Sequence, residues 1–243
     1  FLTATDLGYY AVAVSLSRFI LIIPRAIQRV TFPATSEFWA KKDYGALQKM
    51  IDKSMKYSAC ILLPIGLTIG FFAEDIVTII FGEKFIYAVT PLLILLVGTL
   101  IRGSTGAPIG STLPAVGRVD LSPKISTCSA TINVILNVLL IPRFGIAGAA
   151  VATTVSFVVG MLLSLYFIVR STNVKMDIRW YGKAGLVVLL ITLIYYTSGS
   201  HPVVGILGII FSIVIIWLTL LQREDRAYLI SLIKELKSHF RVI

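Results

Sequence analysis

Four arginines lie inside stretches of this sequence that are apolar enough to cross a membrane. Arg18, Arg25 and Arg29 interrupt the first stretch, and Arg102 interrupts a later one. On a single helix, residues seven and four apart differ by about −20° and about +40° around the axis, so the first three arginines would share one stripe. A guanidinium group keeps its charge, and its fork can pair with two phosphate oxygens. The pattern therefore favours binding of an anionic group, such as phosphate or pyrophosphate.

Arg18 is predicted to lie close to the middle of the membrane. At 1.5 Å per residue, it is about 14 Å from the predicted start of its helix at Tyr9. An arginine at that depth costs about 2.5–3.5 kcal/mol unless it faces water, a carboxylate or an anionic ligand. All 12 acidic residues fall in predicted loops or at the ends of predicted spans. We expect Arg18, Arg25 and Arg102 to bind substrate and Arg29 to extend to the interface; water or acidic groups outside this chain are the alternatives.

The composition places the chain among integral membrane proteins. Of its 243 residues, 57% are hydrophobic and 14% are charged, and the mean hydropathy is +0.90. Soluble domains contain about 25% charged residues. The net charge of +10 is concentrated in particular loops, so membrane lipids are the expected partners and nucleic acid is not. Two histidines and two isolated cysteines predict neither a metal site nor a disulfide, and no cofactor is expected.

Seven segments reach the length of about 20 mainly apolar residues that a transmembrane helix requires. The predicted fold is therefore all-α and polytopic. Glycine and proline residues interrupt the third of these segments. The predicted spans are 9–31, 53–73, 88–116, 122–141, 146–169, 182–198 and 202–221.

The basic residues predict the orientation of these spans. One set of alternate loops, taken with the C-terminal tail, holds 16 of the 22 lysines and arginines, and the opposite set holds two. Because cytoplasmic loops are enriched in Lys and Arg, the first set is predicted to be cytoplasmic. The given N-terminus would then lie outside the cell and the C-terminus inside. Apolar residues repeat at helical spacing in the last segment, 222–243, which predicts a cytoplasmic amphipathic helix.

Four residues are candidate kinks or hinges within the spans. Pro24 removes a backbone hydrogen bond and clashes one turn back, so it would loosen the first helix between its arginines. Bending there would let the helix move between two states, although an inert packing kink would have the same sequence. Pro64, Gly103 and Pro108 are the equivalent candidates in the second and third spans.

Asn133 and Asn137 lie four residues apart on one face of the fourth predicted span. Amide side chains in membrane helices bond to a neighbouring helix and contribute about 0.6 kcal/mol each. The favoured interpretation is that they are structural polar contacts, with substrate contact as the alternative. Pro142 and Gly145 are then predicted to turn the chain into the fifth span.

Several stretches together resemble a known family of membrane proteins. They are GYYAVA and FPATSE at the two ends of the first span, AEDIVTIIFGEKFIYAVTPLLIL between the second and third, and INVILNVLLIPRFGIAGAAVATTVS across the fourth and fifth. These stretches resemble the C-terminal half of the oligosaccharide flippases in the multidrug/oligosaccharidyl-lipid/polysaccharide exporter superfamily. The resemblance covers most of the chain from residue 8 to residue 170.

The resemblance implies a transporter of fourteen helices in two lobes, of which this chain would hold helices eight to fourteen. It implies a transport lobe at 1–170, a final transmembrane helix pair at 171–221 and a cytoplasmic helix at 222–243. The N-terminal lobe would be missing from the given sequence and would be a partner. The resemblance also implies a central cationic cavity, lined by the first span, that receives an anionic lipid-linked glycan.

The function that these features favour is transfer of a polyprenyl-pyrophosphate-linked oligosaccharide from the cytoplasmic to the outer leaflet of the cell membrane, for surface polysaccharide synthesis. A cation-coupled multidrug exporter of the same superfamily is one alternative, but it should present carboxylates within the membrane. A membrane-embedded enzyme is disfavoured because no span holds a histidine or carboxylate for acid–base catalysis. No catalytic residue is therefore expected. A non-transporting half-protein is the remaining alternative.

Overall fold

The computed structural model describes residues 2–172, 174, 175, 182 and 214. The chain divides into two compact units, Phe1–Met176 and Asp177–Ile243. All the helices that can be delimited belong to the first unit. The predicted spans 182–198 and 202–221 and the predicted helix 222–243 lie outside the described residues. They remain predictions, as does the division of the chain at residues 170 and 221.

The described part of the first unit consists of helices and contains no β-strand, so the all-α prediction is confirmed there. Three of its helical stretches are long and apolar enough to cross a membrane, or four if the bent pair at the start is one span. The α-helices are α1 (Ala4–Phe19), α2 (Ile22–Ala40), α3 (Tyr44–Phe71), α4 (Ala73–Phe81), α5 (Val89–Ile101), α6 (Ala107–Ala115) and α7 (Leu121–Thr172). A 3-10 helix (Glu83–Ala88) precedes α5, and a π-helical segment (Arg102–Gly106) joins α5 to α6.

The prediction that 9–31 forms one helix is wrong. The chain breaks at Ile20 and Leu21, and the axes of α1 and α2 differ by 42°. The break lies one turn before Pro24, where the proline ring would meet the carbonyl of residue 20 and where the N–H that should bond to it is absent. Pro24 itself is buried in the first turn of α2. First-turn N–H groups have no partner within their own helix, so the proline is tolerated there.

Helix α3 extends further toward the N-terminus than the predicted span 53–73. It begins at Tyr44, where the Asp43 side chain caps it by accepting a hydrogen bond of 2.9 Å from the Ala46 N–H. It ends at Phe71 and continues through Pro64 as one helix. The predicted third span, 88–116, consists of α5, the π-helical segment and α6, and its interruption coincides with the glycine-rich stretch.

Helix α7 is two antiparallel helices joined at Gly145, whose φ of 55° lies in the left-handed region that glycine adopts without strain. We call 121–144 the first arm and 146–172 the second arm. The arms match the predicted spans 122–141 and 146–169, and each exceeds the length needed for one crossing. They approach closely at the turn, where a Cβ on Gly148 would lie 2.6 Å from the Leu140 carbonyl oxygen.

The apolar core lies where α1, α5 and the second arm meet. Leu92 and Leu95 of α5, Ala13 of α1 and Ala150 of the second arm are buried in one cluster. Two polar contacts join the same elements. The Tyr10 and Thr153 hydroxyls lie 3.0 Å apart, and the Thr154 hydroxyl donates to the Ile94 carbonyl over 2.9 Å. This packing holds the middle of α1 beside the second arm of α7.

Candidate functional site

A cavity of about 460 Å³ lies between α1, the π-helical segment, α6 and both arms of α7. Its cationic lining comes from two separate elements, Arg18 of α1 and Arg102 of the π-helical segment. The remaining lining is built mainly from small, hydroxyl or amide side chains. These residues are Gly106, Gly110, Leu113, Ser122, Ile125, Ser126, Ser129, Ala130, Asn133, Thr153, Ser156, Phe157, Gly160, Met161 and Ser164.

Each of the two lining arginines lies next to an interruption of regular α-helix. Arg18 is in the last turn of α1, two residues before the break at Ile20. Arg102 is the first residue of the π-helical segment, and its guanidinium carbon lies 4.5 Å from the centre of the Phe157 ring. This cation–π contact fixes the direction of the Arg102 side chain without neutralising its charge. The arginine therefore stays available to an anion.

The two interruptions pack directly against each other, and Gly103 is the point of contact. A Cβ built on Gly103 would lie 3.2 Å from a methyl group of Leu21 and 3.6 Å from the Pro24 ring. It would also overlap a methyl group of Leu62 in α3. Only glycine allows the π-helical segment to approach the break between α1 and α2 this closely. We call this contact the helix-break junction.

The charge of the cavity is uncompensated within the described part of the chain. Arg18 and Arg25 both repel the positive charge of Arg102. Among the described residues, no carboxylate lines the cavity and no ion pair to these three arginines is formed. Binding an anion there would relieve this repulsion, because an opposite charge attracts both guanidinium groups.

The four arginines singled out from the sequence differ in their position relative to the cavity. Arg18 and Arg102 meet at the cavity. Arg25 is exposed on α2, close enough to repel Arg102 but outside the cavity lining. Arg29 is also exposed on α2. The expectation of one continuous stripe is wrong for Arg18, because the helix break separates it from the other two.

The two asparagines take different positions. The Asn133 side-chain amide lies at the cavity and donates to the Thr153 hydroxyl over 3.4 Å and to Ser156 over 3.5 Å. Asn137 donates to the Asn133 side-chain oxygen over 3.0 Å and does not line the cavity. The Asn133 bonds join the two arms, whereas the Asn137 bond lies within the first arm. Asn133 also faces the space where a ligand would lie.

The other hinge candidates occupy different environments. Gly103 lies in the helix-break junction, and Pro108 is buried in the first turn of α6. Pro64 lies within the continuous helix α3. The described structure thus places Pro24 and Gly103 together.

Sequence analysis missed the hydroxyl residues of the cavity wall. Ser122, Ser126 and Ser129 follow one another at spacings of four and three in the first arm, and Asn133 continues the same helical face. This periodicity was a usable signal. It was overlooked because serine differs little from its surroundings on a hydropathy scale, whereas an arginine stands out.

The carboxylate next to the serines in sequence is already occupied. Asp120, in the turn between α6 and α7, accepts hydrogen bonds from Arg118 over 3.2 Å and from Lys124 over 3.3 Å. The Arg118 hydrogen bond, with a smaller contribution from Lys124, holds the pKa of Asp120 below its ordinary value. Asp120 therefore stays ionised and paired with basic neighbours.

Comparison with known proteins gives a consistent set of similarities. Residues 1–90 match the family model described as polysaccharide biosynthesis protein. The chain is 30% identical over 210 residues to the probable low-salt glycan biosynthesis flippase Agl15 of Haloferax volcanii, covering 86% of this chain and 44% of that protein. It is 24% identical over 218 residues to the probable flippase AglR of the same organism, covering 86% of this chain and 45% of that protein.

The fold is shared with a solved flippase structure. The lipid II flippase MurJ, in its inward closed conformation, superposes with a TM-score of 0.70 at 17% sequence identity, covering 87% of this chain and 46% of that one. The chain thus spans less than half the length of each of these three proteins. The predicted resemblance to polysaccharide flippases is confirmed by these similarities.

Proposed function

We propose that this chain, which belongs to the polysaccharide flippases of the multidrug/oligosaccharidyl-lipid/polysaccharide exporter superfamily, is one transport lobe of a flippase for lipid-linked oligosaccharides. The complete transporter would move a polyprenyl-pyrophosphate-linked glycan from the cytoplasmic to the outer leaflet of the cell membrane. Two relatives named as flippases support the class of cargo. The shared fold, together with the share of each relative that the chain spans, supports its assignment as one lobe. The resemblance of its sequence motifs to the C-terminal half of the flippases favours the C-terminal lobe, with a separate N-terminal lobe as its partner.

The observation that carries this proposal is the meeting of Arg18 and Arg102 at one cavity. Two guanidinium groups from different elements face the same space, and no described carboxylate compensates them. A pyrophosphate offers several acceptor oxygens and matches two separate forks better than one. A site for a cationic drug would need the opposite charge. The cavity is thus suited to the pyrophosphate end of the cargo.

The helix-break junction offers a way to couple binding to movement. Arg18 precedes the break and Arg102 begins the π-helical segment, so a change of angle at the junction changes the distance between their side chains. In transporters, rocking of one lobe against another around a central site exposes that site alternately to each side. We infer that bound pyrophosphate favours the junction geometry in which both arginines reach it.

The predicted orientation agrees with this direction of transport. The basic loops would face the cytoplasm, where the loaded lipid is made, and the turn at Gly145 would face outward. Tagging 174–175 and the turn at 143–145 for accessibility labelling in intact cells would test the orientation. Labelling of the turn from outside, with 174–175 protected until the cells are opened, is the expected result.

The direct test of function is export of surface polysaccharide by variants of the complete transporter in cells that lack their own flippase. We expect Arg18→Ala and Arg102→Ala to reduce export about 10- to 100-fold, since a hydrogen bond to a charged group contributes about 1.5–3 kcal/mol. Arg18→Lys should retain part of the activity, because it keeps the charge without the fork.

Arg29→Ala is the matched control, since Arg29 lies on the neighbouring helix but not at the cavity. It should export normally. Wild-type export by Arg18→Ala and Arg102→Ala, at equal protein levels in the membrane, would exclude the proposed pyrophosphate site.

A further inference from the structure

One wall of the cavity is formed by three serines on a single face of the first arm of α7. Ser122, Ser126 and Ser129, which we call the serine row, all line the cavity, and Asn133 continues the row. From Ser122 to Asn133 the row extends about 16 Å, at 1.5 Å per residue. Its length exceeds what a phosphate group alone would contact.

The hydroxyls of the serine row differ from three hydroxyls of α3 and of the π-helical segment. Ser54, Thr68 and Ser104 each donate to the carbonyl four residues earlier, over 2.7, 2.8 and 2.7 Å. This is the usual way for a helix to satisfy a hydroxyl in apolar surroundings. The serine row makes no such bond within the described part of the chain, so its donors and acceptors remain free.

Ser129 shows most clearly that a partner is required. Its hydroxyl oxygen is buried and has no hydrogen-bond partner among the described residues. A Cβ on Gly160 of the second arm would lie 2.8 Å from that oxygen, so the second arm covers it on one side. A buried hydroxyl without a partner is unfavourable unless water or a ligand supplies one. Ser122 and Ser126, which are less buried, line the same wall of the cavity.

Arg102 and the far end of the serine row lie at different levels of the same cavity. Arg102 lies over Phe157, and Asn133 bonds to Ser156 and Thr153 at the same level of the hairpin. From Asn133, the serine row leads away toward the turn between α6 and α7. The lining therefore combines two cationic groups with neutral hydroxyl groups that extend beyond Arg102, which matches a ligand that carries both phosphate and polyol groups.

We propose that the serine row, together with Asn133, binds the sugar residues nearest the pyrophosphate while Arg18 and Arg102 bind the pyrophosphate itself. This inference rests on the proposed function and adds the part of the site that distinguishes a glycosylated lipid from a bare one. A serine hydroxyl is both donor and acceptor, as is each sugar hydroxyl, so the row can pair with them in either sense. Water fills the row when the site is empty and is displaced by the glycan.

The test compares binding of two lipids to the complete transporter in detergent. The probes are undecaprenyl pyrophosphate and the same lipid carrying a disaccharide of N-acetylglucosamine. We expect the wild type to bind the disaccharide form about tenfold more tightly, from several net hydrogen bonds. The triple variant Ser122→Ala, Ser126→Ala and Ser129→Ala should lose this preference and bind the bare lipid within about twofold of wild type.

Alanine keeps each Cβ and removes only the hydroxyl, so the cavity wall retains its shape. The control is Thr127→Ala with Thr131→Ala, which removes two exposed hydroxyls of the same arm that do not line the cavity. The control should keep the wild-type preference. Equal loss in the control, an unchanged preference in the triple variant, or no preference in the wild type would each overturn the inference.

The same experiment separates this inference from the proposed function. If the wild type binds neither lipid, the pyrophosphate site itself is wrong and the inference falls with it. If the wild type binds both lipids and Arg18→Ala weakens both, while the serine variants alter neither, the proposed function stands and only the sugar site is excluded.

Discussion

The turn at Gly145 and the helix-break junction are both interruptions of helical structure, but their glycines differ in how closely other residues pack around them. Gly145 has open space around its Cβ position and reverses the chain between two long arms. Gly103, in the junction, has no free space and lies against side chains of α3 and of the α1–α2 break. One interruption is a local turn, whereas the other depends on contacts between elements far apart in sequence.

This difference indicates which of the two interruptions can carry a functional site. A turn at the end of a hairpin satisfies its own backbone and carries no functional side chain. An interruption within the membrane exposes backbone groups and is tolerated where it is buried in protein or lines a cavity. The junction has arginines on both of its parts, and both reach the cavity. We therefore expect substitutions in the hairpin to alter stability and substitutions in the junction to alter transport as well.

The largest effect on stability is expected for Gly148→Ala, just after the hairpin turn. A Cβ there would lie 2.6 Å from the Leu140 carbonyl oxygen, and backbone cannot move aside as a side chain can. The arms would have to separate, which should lower the free energy of unfolding by about 2–3 kcal/mol. Unfolding in mixed detergent micelles measures this loss.

Gly8→Ala is the control for Gly148→Ala, because Gly8 lies in α1 with nothing within 4 Å of its Cβ position. It should raise the free energy of unfolding by about 0.5–1 kcal/mol, as replacing a helical glycine by alanine does. Similar effects of the two substitutions would show that the hairpin arms are not held as closely as the structure indicates.

The next effect concerns Gly103→Ala in the junction. The new methyl group would overlap the fully buried Leu62 side chain, which can shift, so we expect a loss of about 1–2 kcal/mol. Leu62→Val shortens that side chain and should partly restore stability when combined with Gly103→Ala. A double-mutant cycle would show this as a coupling of opposite sign to the single losses.

Transport distinguishes Gly103→Ala from the hairpin variant. If the junction couples the arginines to movement, Gly103→Ala should reduce export more than it reduces the amount of folded transporter in the membrane. Gly148→Ala should reduce export only in proportion to folded protein. Export by Gly103→Ala that simply follows the amount of folded transporter would remove the proposed coupling.

The hairpin shows which parts of the fold the sequence could predict. Two apolar runs of spanning length, separated by Pro142 and Gly145, predict two arms and a turn, and the structure has them there. The signal is local, because a proline and a glycine close together mark the turn without help from other elements. The same holds for Arg18 and Arg102, because a charged residue inside an apolar stretch is a local signal.

The junction shows why the rest could not be predicted. Pro24 indicated a weakened helix, but the packing of the break against Gly103, which is about eighty residues away in sequence, could not be read from it. Periodicity cannot register such a contact. Because the prediction of a single helix was wrong, the prediction that Arg18 shares one stripe with Arg25 and Arg29 was wrong as well. The serine row was equally hidden, since its meaning depends on a cavity that both arms and α6 form together.

The smallest effect is expected for Asn137→Ala, which tests whether the polar contacts of the hairpin are purely structural. Asn137 donates one hydrogen bond to Asn133 over 3.0 Å, and its own side-chain oxygen is buried without a partner in the described structure. Removing the bond costs about 0.6 kcal/mol, and removing the unsatisfied oxygen offsets part of that. The free energy of unfolding should therefore change by less than about 0.5 kcal/mol, and export should not change.

Asn133→Ala is the comparison for Asn137→Ala. It removes two donated bonds and a group that faces the cavity, so it should lower both stability and binding of the glycosylated lipid. If Asn137→Ala impaired export as strongly as Asn133→Ala, the hairpin would take part in transport, and the contrast between the two interruptions would no longer hold.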